Sequence, residues 1–468
     1  MEIRTRFAPS PTGDLHIGGA RTALFNYLFA KSMKGKFLLR IEDTDLKRSD
    51  STLSEKIVND ISWLNIKWDE EIVFQRKNLN KHKQIIDLLL EKGFAFRCYL
   101  NKQDFKKSDI DTNGKPEPVL RSPWREHIVK EERSKQYVIR FKVPNNSSKI
   151  SFVDKIRGKL SWDLSTIEDF VIARSDGSST YNLAVVVDDH NMRISHVIRG
   201  EDHLTNTVKQ LLVYQALDWK PPVFAHIPLI HNDRGEKLSK RDGKSNLLDF
   251  KQEGILPEAM LNYLARLGWG YRDEEFFNLD QAISWFTLEG IGKSPSRFDI
   301  KKLLNISKKH IASKSENEIL RSLLKYIKIY KNLKLSESHS NDLRRFLPLV
   351  IGRCSSLGEI FKACSFLFEG NDFENKKPIL LEHENKKKLY DFTTAIKSAN
   401  LTWDHENLNN FISDYCQENN FKYRDIGVPL RIAITGSTSS PSIAHIMEIL
   451  GKKKTLHRLN INVDSIKN

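Results

Sequence analysis

No stretch restricts the fold of this chain more than its opening. Ile3 to Phe7 can form a strand, which Pro9-Ser10-Pro11-Thr12-Gly13 then breaks. From Gly18 to Lys34 the apolar residues Ala20, Ala23, Leu24, Tyr27 and Leu28 recur at helical spacing, and Phe37 to Ile41 reads as a second strand running into Glu42-Asp43-Thr44-Asp45. Strands joined through a helix lie parallel, because a parallel pair needs a crossover that a tight turn cannot supply. The chain therefore opens as a parallel α/β unit. Leu53, Ile57, Ile61 and Leu64 continue at helical spacing, and a further helix is expected around Ile85 to Leu90.

Beyond residue 95 the texture changes. Polar stretches such as Asp109 to Pro118 precede short strand candidates at Tyr137 to Phe141 and Ile150 to Val153, which reads as an inserted domain of mixed structure. Strand character is expected again at Leu183 to Val187, before Asp188-Asp189-His190, and at Val197 to Arg199. A helix from Thr205 to Leu217 and a strand at Ala225 to Ile230 follow. From about residue 245 helical periods dominate: Leu256 to Leu267, Leu303 to Ile311, Ile319 to Ile329, Leu343 to Ile351 and Leu389 to Ile396. Pro348 weakens the fourth of these, since an internal proline removes a backbone bond. The polar segment 330–342 and Gly436-Ser437-Thr438-Ser439-Ser440-Pro441 read as breaks, and no fixed-period repeat is present. A chain of 468 residues exceeds one core. The expected architecture is an α/β domain, split by an inserted α+β domain and followed by an all-helical carboxy-terminal half.

The chain carries 75 Lys and Arg against 60 acids, a net charge of +15. The excess is +8 over residues 1–240 and +7 over residues 241–468, so no basic tail accounts for it. Charge spread so evenly fits an extended polyanion, which takes many weak phosphate contacts, and equally fits a coding bias toward lysine. The cysteines, Cys98, Cys354, Cys364 and Cys416, form no CxxC pair and fit a reducing compartment. No stretch approaches ~18 uncharged apolar residues, and the charged first segment is unlike a signal region. A cytoplasmic protein without a membrane partner is the expectation.

Two short segments carry candidate chemistry. His16 stands just before Gly18 and Gly19 at a helix start, where free N–H groups and the helix dipole face an anion and glycine permits close approach. Imidazole adds a donor beside charge that develops when an α-phosphate is attacked. The fragment is neither GxGxxG nor GxxxxGK, and a plain strand-to-helix turn has the same composition. Lys237 and Lys240, flanked by Arg234 and Arg241 and by Gly235 and Gly243, would neutralise a triphosphate and its leaving pyrophosphate. A solvated lysine-rich loop reads the same way when taken alone.

Read together, the two segments resemble a known family. Pro9 to Gly19 looks like the "HIGH" signature of class I aminoacyl-tRNA synthetases, with His16-Ile17-Gly18-Gly19 in its place. Lys237-Leu238-Ser239-Lys240-Arg241 looks like their "KMSKS" loop. Both variants, with Arg40-Ile41-Glu42-Asp43-Thr44-Asp45, resemble the bacterial-type glutamyl-tRNA synthetases, where glycine at the second histidine position is usual. Thr180 to His190, Val197 to His203 and Pro429 to Gly436 extend the resemblance over essentially the whole chain.

The resemblance implies a class I Rossmann-like catalytic domain in two parts, 1–95 and 179–235, with an inserted acceptor-end-binding domain at 96–178. It further implies a lysine-loop and stem-contact domain at 236–315 and a helical anticodon-binding region at 316–468, with Arg353 and Arg431 lying in that region. It assigns Arg6, Ala8, Ser10, Glu42, Tyr181 and Arg199 to the amino-acid pocket. Arg199 suits a side-chain carboxylate, which guanidinium grips through two parallel bonds, and Glu42 suits an α-ammonium. Ordinary roles for the same residues are a surface arginine at Arg6, a core aromatic at Tyr181 and a partner for Asp202 at Arg199. His16, Gly18, Gly19, Glu201, Leu229 and Lys240 would hold ATP, with His16, Lys237 and Lys240 catalytic.

The implied reaction is ATP-dependent ligation of L-glutamate to tRNA(Glu) through glutamyl-adenylate, with Mg²⁺ on the triphosphate, in a monomer. Charging of tRNA(Gln) as well, glutamyl transfer to a modified tRNA base, and a silent RNA-binding paralogue are the alternatives. Some relatives hold zinc in the inserted domain. Here Cys98 is followed by Tyr99 and Leu100 with no nearby second cysteine, so no structural zinc is expected.

Overall fold

The computed structural model describes residues 2–44, 51–99, 122–126, 136–144, 149–239, 242–368 and 383–463. They fall into two compact units, Met1–Asp249 with Pro257–Leu303, and Phe250–Leu256 with Leu304–Asn468.

The first unit is built on parallel strands. β1 (Arg4–Phe7), helix α1 (Ile17–Ser32) and β2 (Lys36–Ile41) form the expected opening, with Arg4 opposite Lys36 and Phe7 opposite Leu39. α2 (Ser51–Trp63) leads to the short β3 (Val73–Phe74), which pairs with β2, and α3 (Leu79–Glu91) follows. An antiparallel sheet of β4 (Ala95–Cys98), β5 (Val138–Phe141) and β8 (Val171–Ala173) then interrupts the parallel order, with a hairpin of β6 (Lys149–Asp154) and β7 (Gly158–Asp163). The parallel pattern resumes with α4 (Tyr181–Asn191), β9 (His196–Gly200), α5 (Leu204–Ala216) and β10 (Val223–Ile227).

β9 returns beside β1, where Ser195 N–H donates to the Arg4 carbonyl at 2.9 Å. Farther along, the Ile198 carbonyl takes its bond from the Asn26 side-chain amide of α1 at 2.8 Å. Asn26 thus ties α1 to β9 beside β1, and open α/β sheets hold ligands outside the carboxyl ends of such strands. α1 is buried on most of its circumference, from Ile17 to Ala30. Such all-round burial suits a helix packed between layers.

Leu183 to Val187 forms helix rather than the strand expected from its composition. A short continuous apolar run is buried on all sides in either state, so periodicity cannot separate the two. Asp188 and Asp189 follow in the same helix, both buried and both hydrogen-bonded from different directions.

The second unit is helical throughout its described residues. Ser315 and Glu318 form a reciprocal capping box at the start of Glu316–Tyr326. A helix at Glu337–Phe346 begins inside the segment expected to be a break, because Ser336 caps it. It stops before Pro348, and residues Leu347–Leu349 form a 3₁₀ turn. Leu357–Cys364, His383–Ser398, His405–Glu418, Tyr423–Thr435 and Ile443–Val463 complete the unit. Gly436 ends the fourth of these in the left-handed region, where the loop to Pro441 begins. Arg431 donates through Nε to Ser440 in that loop at 2.8 Å, and Arg353 is exposed.

Candidate active site

His16 caps α1 with its side chain: Nδ1 accepts the Gly18 N–H at 3.1 Å. The neutral ring then carries its proton on Nε2. A Cβ at position 19 would lie 2.9 Å from Leu15 Cδ1, so a larger residue there would have to displace the Leu15 side chain. Two backbone bonds, Ile17 N–H to the Ser245 carbonyl and Leu247 N–H to the Leu15 carbonyl, lace this turn to the segment after the lysine loop.

The loop is a hairpin whose Leu238 is buried and donates its N–H to the Ile230 carbonyl at 2.9 Å. Asp242 staples it, accepting the Ser239 N–H and hydroxyl on one oxygen and the Asn232 amide and Arg234 guanidinium on the other. Those bonds, that of Asn232 foremost, bring the Asp242 carboxyl down to about 2. Lys237 Nζ lies 3.0 Å from Asp202 Oδ2. Lys240 and Arg241 lie outside the described residues.

A cavity of about 360 Å³ opens at the carboxyl ends of β1 and β9. Arg6, Ala8, Ser10, Glu42, Tyr181 and Arg199 all line it, and so do His16, Gly18, Gly19, Leu229 and Lys237. Residues separated by more than 200 positions thus share one wall. Glu201 is placed differently: one oxygen accepts the Leu229 N–H at 3.0 Å and the other pairs with Arg157.

Buried charges set the character of the cavity. Asp189 accepts from Arg6 Nε at 3.1 Å and from Arg40 at 2.6 Å, and Arg40 also donates to Glu42 at 3.2 Å. Burial opposes ionisation of Asp189, but the two guanidiniums outweigh it and hold its carboxyl below the usual range. Glu42 goes the other way, because burial outweighs Arg40 and Arg6 and pushes its carboxyl up. Arg6 is no surface residue; it is 4% exposed.

Arg199 has no carboxylate within salt-bridge reach among the described residues, and Asp202 is occupied by Lys237 instead. Its guanidinium is held by neutral acceptors: His226 Nε2 at 3.2 Å, Thr207 Oγ1 at 2.8 Å and Gln210 Oε1 at 2.9 Å. Tyr181 hydroxyl lies 3.5 Å from Arg199 and 3.1 Å from His203 Nδ1. Burial, with Arg199 close by, pushes His203 down to about 4, which leaves that nitrogen free to accept at neutral pH. A buried cation without an anionic partner is costly unless a ligand supplies one.

Sequence reasoning had no role for Asp189, Arg21, His203 or Asp242. Arg21 lies one turn into α1, lines the cavity and donates to the Leu267 and Pro228 carbonyls; burial lowers it to about 10. Asp189 carried a signal, since adjacent acids in an apolar helix must find buried partners. The misreading of that segment as strand hid it. Cys98 Sγ lies 3.5 Å from Ser122 Oγ, and among the described residues no three His, Cys, Asp or Glu side chains gather as metal ligands.

Residues 2–305 match the family model described as tRNA synthetases class I (E and Q), catalytic domain. The chain belongs to this family. Residues 318–463 match a second model, an anticodon binding domain, so both halves of a class I synthetase of this type are present. Among the family's curated members, one from Anaplasma phagocytophilum named glutamate–tRNA ligase 2 is 40% identical over 98% of this chain and 99% of its own. One from Wolbachia pipientis, also named glutamate–tRNA ligase 2, is 42% identical over 98% and 99%. The crystal structure of a glutamate tRNA ligase from Elizabethkingia meningosepticum in complex with its amino acid superposes with a TM-score of 0.79 at 29% identity. It covers 99% of this chain and 100% of that one.

Proposed function

We propose that this chain ligates L-glutamate to tRNA(Glu) in two steps at the cavity described above. The observation that carries the reading is Arg199: a buried guanidinium, lining the cavity, held on neutral partners and lacking a carboxylate. A ligand side-chain carboxylate would complete it through the remaining Nη1 hydrogens, with a full charge that the amide of glutamine cannot match. Arg6 adds positive potential from the same side, and the raised Glu42 carboxyl becomes a better anion once an α-ammonium sits beside it.

In the first step the α-carboxylate oxygen attacks the α-phosphorus of ATP. An O–P bond forms, the bond to the bridging oxygen breaks, and pyrophosphate leaves with that electron pair. The start of α1 turns its dipole and the His16 donor toward the phosphates, and Lys237 leaves Asp202 to meet them. Catalysis here is positioning and charge stabilisation. In the second step a ribose hydroxyl of the terminal tRNA adenosine attacks the acyl carbon, and AMP departs with the electrons of the mixed anhydride.

Glu42 and Asp202, the carboxylates lining the cavity, are both engaged with cations. Mg²⁺ therefore enters as part of the nucleotide substrate, held by phosphate oxygens, where it neutralises charge. The remaining assignments follow the same reading: residues 96–178 meet the acceptor end, 236–315 the stem and 316–468 the anticodon, in a monomeric cytoplasmic enzyme. Among the described residues no helix is long and apolar enough to cross a membrane. The anticodon-binding match argues against a transferase limited to the catalytic half.

The test is ATP–pyrophosphate exchange dependent on glutamate, run with and without tRNA, followed by charging of purified tRNA(Glu) and tRNA(Gln) separately. Glutamate-dependent exchange and charging of tRNA(Glu) are expected. Absence of exchange even with tRNA overturns the reading, and charging of both tRNAs identifies a relaxed acceptor choice.

A further inference from the structure

Arg199 is the residue on which the proposed substrate depends, and its own placement is built from far away. A guanidinium recognises a carboxylate well only when its fork is held in the productive plane. Arg199 lies over the Phe224 ring at 5.6 Å, and its Nε–H donates to His226 Nε2. Arg199 and His226 are register partners on β9 and β10. The other ring nitrogen, His226 Nδ1, lies 2.6 Å from Asp154 Oδ2 at the end of β6. Asp154 also accepts the backbone N–H groups of Ile156, Arg157 and His226. Asp154 is 1% exposed and His226 is fully buried.

We infer that Asp154 and His226 are positioning residues for glutamate recognition: Asp154 fixes the His226 proton on Nδ1, so that Nε2 offers a lone pair to Arg199 Nε and leaves the Nη1 donors for the cavity. The opposite tautomer, or an imidazolium, would set an N–H against the Arg199 N–H. Thr207 Oγ1, 3.0 Å from the same Nε2, accepts from Arg199 and can place its one proton on the His203 carbonyl 3.2 Å away, which leaves the Nε2 lone pair to Arg199. Burial, joined by repulsion from Arg199, lowers His226 and keeps the ring neutral, although Asp154 pulls the other way. Asp154 stays ionised because His226 and the backbone N–H groups outweigh its burial. The β6–β7 hairpin thereby reaches the amino-acid pocket through one imidazole. This inference rests on the reading that the substrate side-chain carboxylate docks on Arg199.

The experiment is steady-state ATP–pyrophosphate exchange on the full chain with tRNA present, for H226F, H226Q, D154N and R199A. H226F keeps ring volume and loses both bonds. It is expected to raise the KM for glutamate about 10- to 100-fold, the range for a bond to a charged group, with the KM for ATP within twofold. H226Q restores an acceptor for Arg199 and should recover most of that loss. D154N keeps acceptors for the backbone but frees the tautomer, and should raise the glutamate KM several-fold; it decides the question if H226F does not fold. A glutamate KM within twofold of the parent in H226F, or in D154N where H226F does not fold, overturns the inference. So does a joint rise in both KM values that H226Q does not relieve. If R199A itself leaves glutamate use unchanged, the docking reading fails; if R199A impairs it and the His226 and Asp154 variants do not, only the positioning role fails.

Discussion

Asp189 joins the stability of the first unit to the shape of its cavity, and neutralising it should expose both. In D189N one oxygen can still accept from Arg6 Nε and Arg40, but the new amide nitrogen faces the second Arg6 N–H, 3.3 Å away in the parent. Arg40 keeps Glu42, whereas Asp189 is the one carboxylate within reach of Arg6 among the described residues. Removing one partner of a buried pair costs about 3–5 kcal/mol. The surviving Arg40–Glu42 bond places D189N at the lower end, about 3 kcal/mol, out of a typical total of ~5–15 kcal/mol.

Tryptophan fluorescence reads the relevant unit, since every tryptophan except Trp403 lies in Met1–Asp249 or Pro257–Leu303. A loss of that size corresponds to about 5 °C in its melting temperature. The pH dependence follows from the lowered carboxyl. Its contribution is complete above the unfolded value, about pH 4, and is lost as pH falls through the lower folded value. The gap between parent and D189N should therefore close below about pH 4. A second variant removes both sides: R6M with D189L should cost less than D189L alone, because no guanidinium is stranded. Fluorescence melts of D189N within about 1 kcal/mol of the parent at pH 7 would refute the argument, as would a double variant with additive losses.

H16N should separate folding from catalysis, because asparagine is a good helix cap but lacks the imidazole donor. Its melting temperature should stay within about 2 °C while the exchange kcat falls about 100-fold; retained exchange would remove His16 from the chemistry. G254A should destabilise the second unit by more than about 3 kcal/mol, since φ is +75° and a Cβ would meet Gly358 N at 2.6 Å. Calorimetry showing an unshifted transition for that unit would contradict this. A zinc chelator should leave the melting profile unchanged, and any release of stoichiometric zinc, read by a colorimetric indicator, would show a site where none is expected.

Local pattern was enough where a single periodicity governed a segment. The break after Phe7, the helix capped by His16 and the return at β2 were legible because glycine, proline and apolar spacing agree there. The helical carboxy-terminal half was legible for the same reason, apart from Glu337–Phe346, whose cap at Ser336 lies in a polar run that reads as loop. The run Leu183 to Val187 was not legible, since burial on every side erases the period that distinguishes helix from strand.

The sequence by itself determined the chemistry available: an imidazole at a helix start, a cationic loop, and arginines and a glutamate that the family resemblance matched to an amino acid with two carboxylates. Only the tertiary structure decided which of these charges are spoken for. Arg6 and Arg40 converge on Asp189, Glu42 is held by Arg40, and Glu201 turns to Arg157 and Leu229. Arg199, held by Thr207, Gln210 and a histidine fixed by Asp154, keeps its charge unmatched. The physical reason is range. A motif fixes neighbours along the chain, whereas the partner that cancels a buried charge comes from wherever the fold brings the next polar atom within about 3 Å.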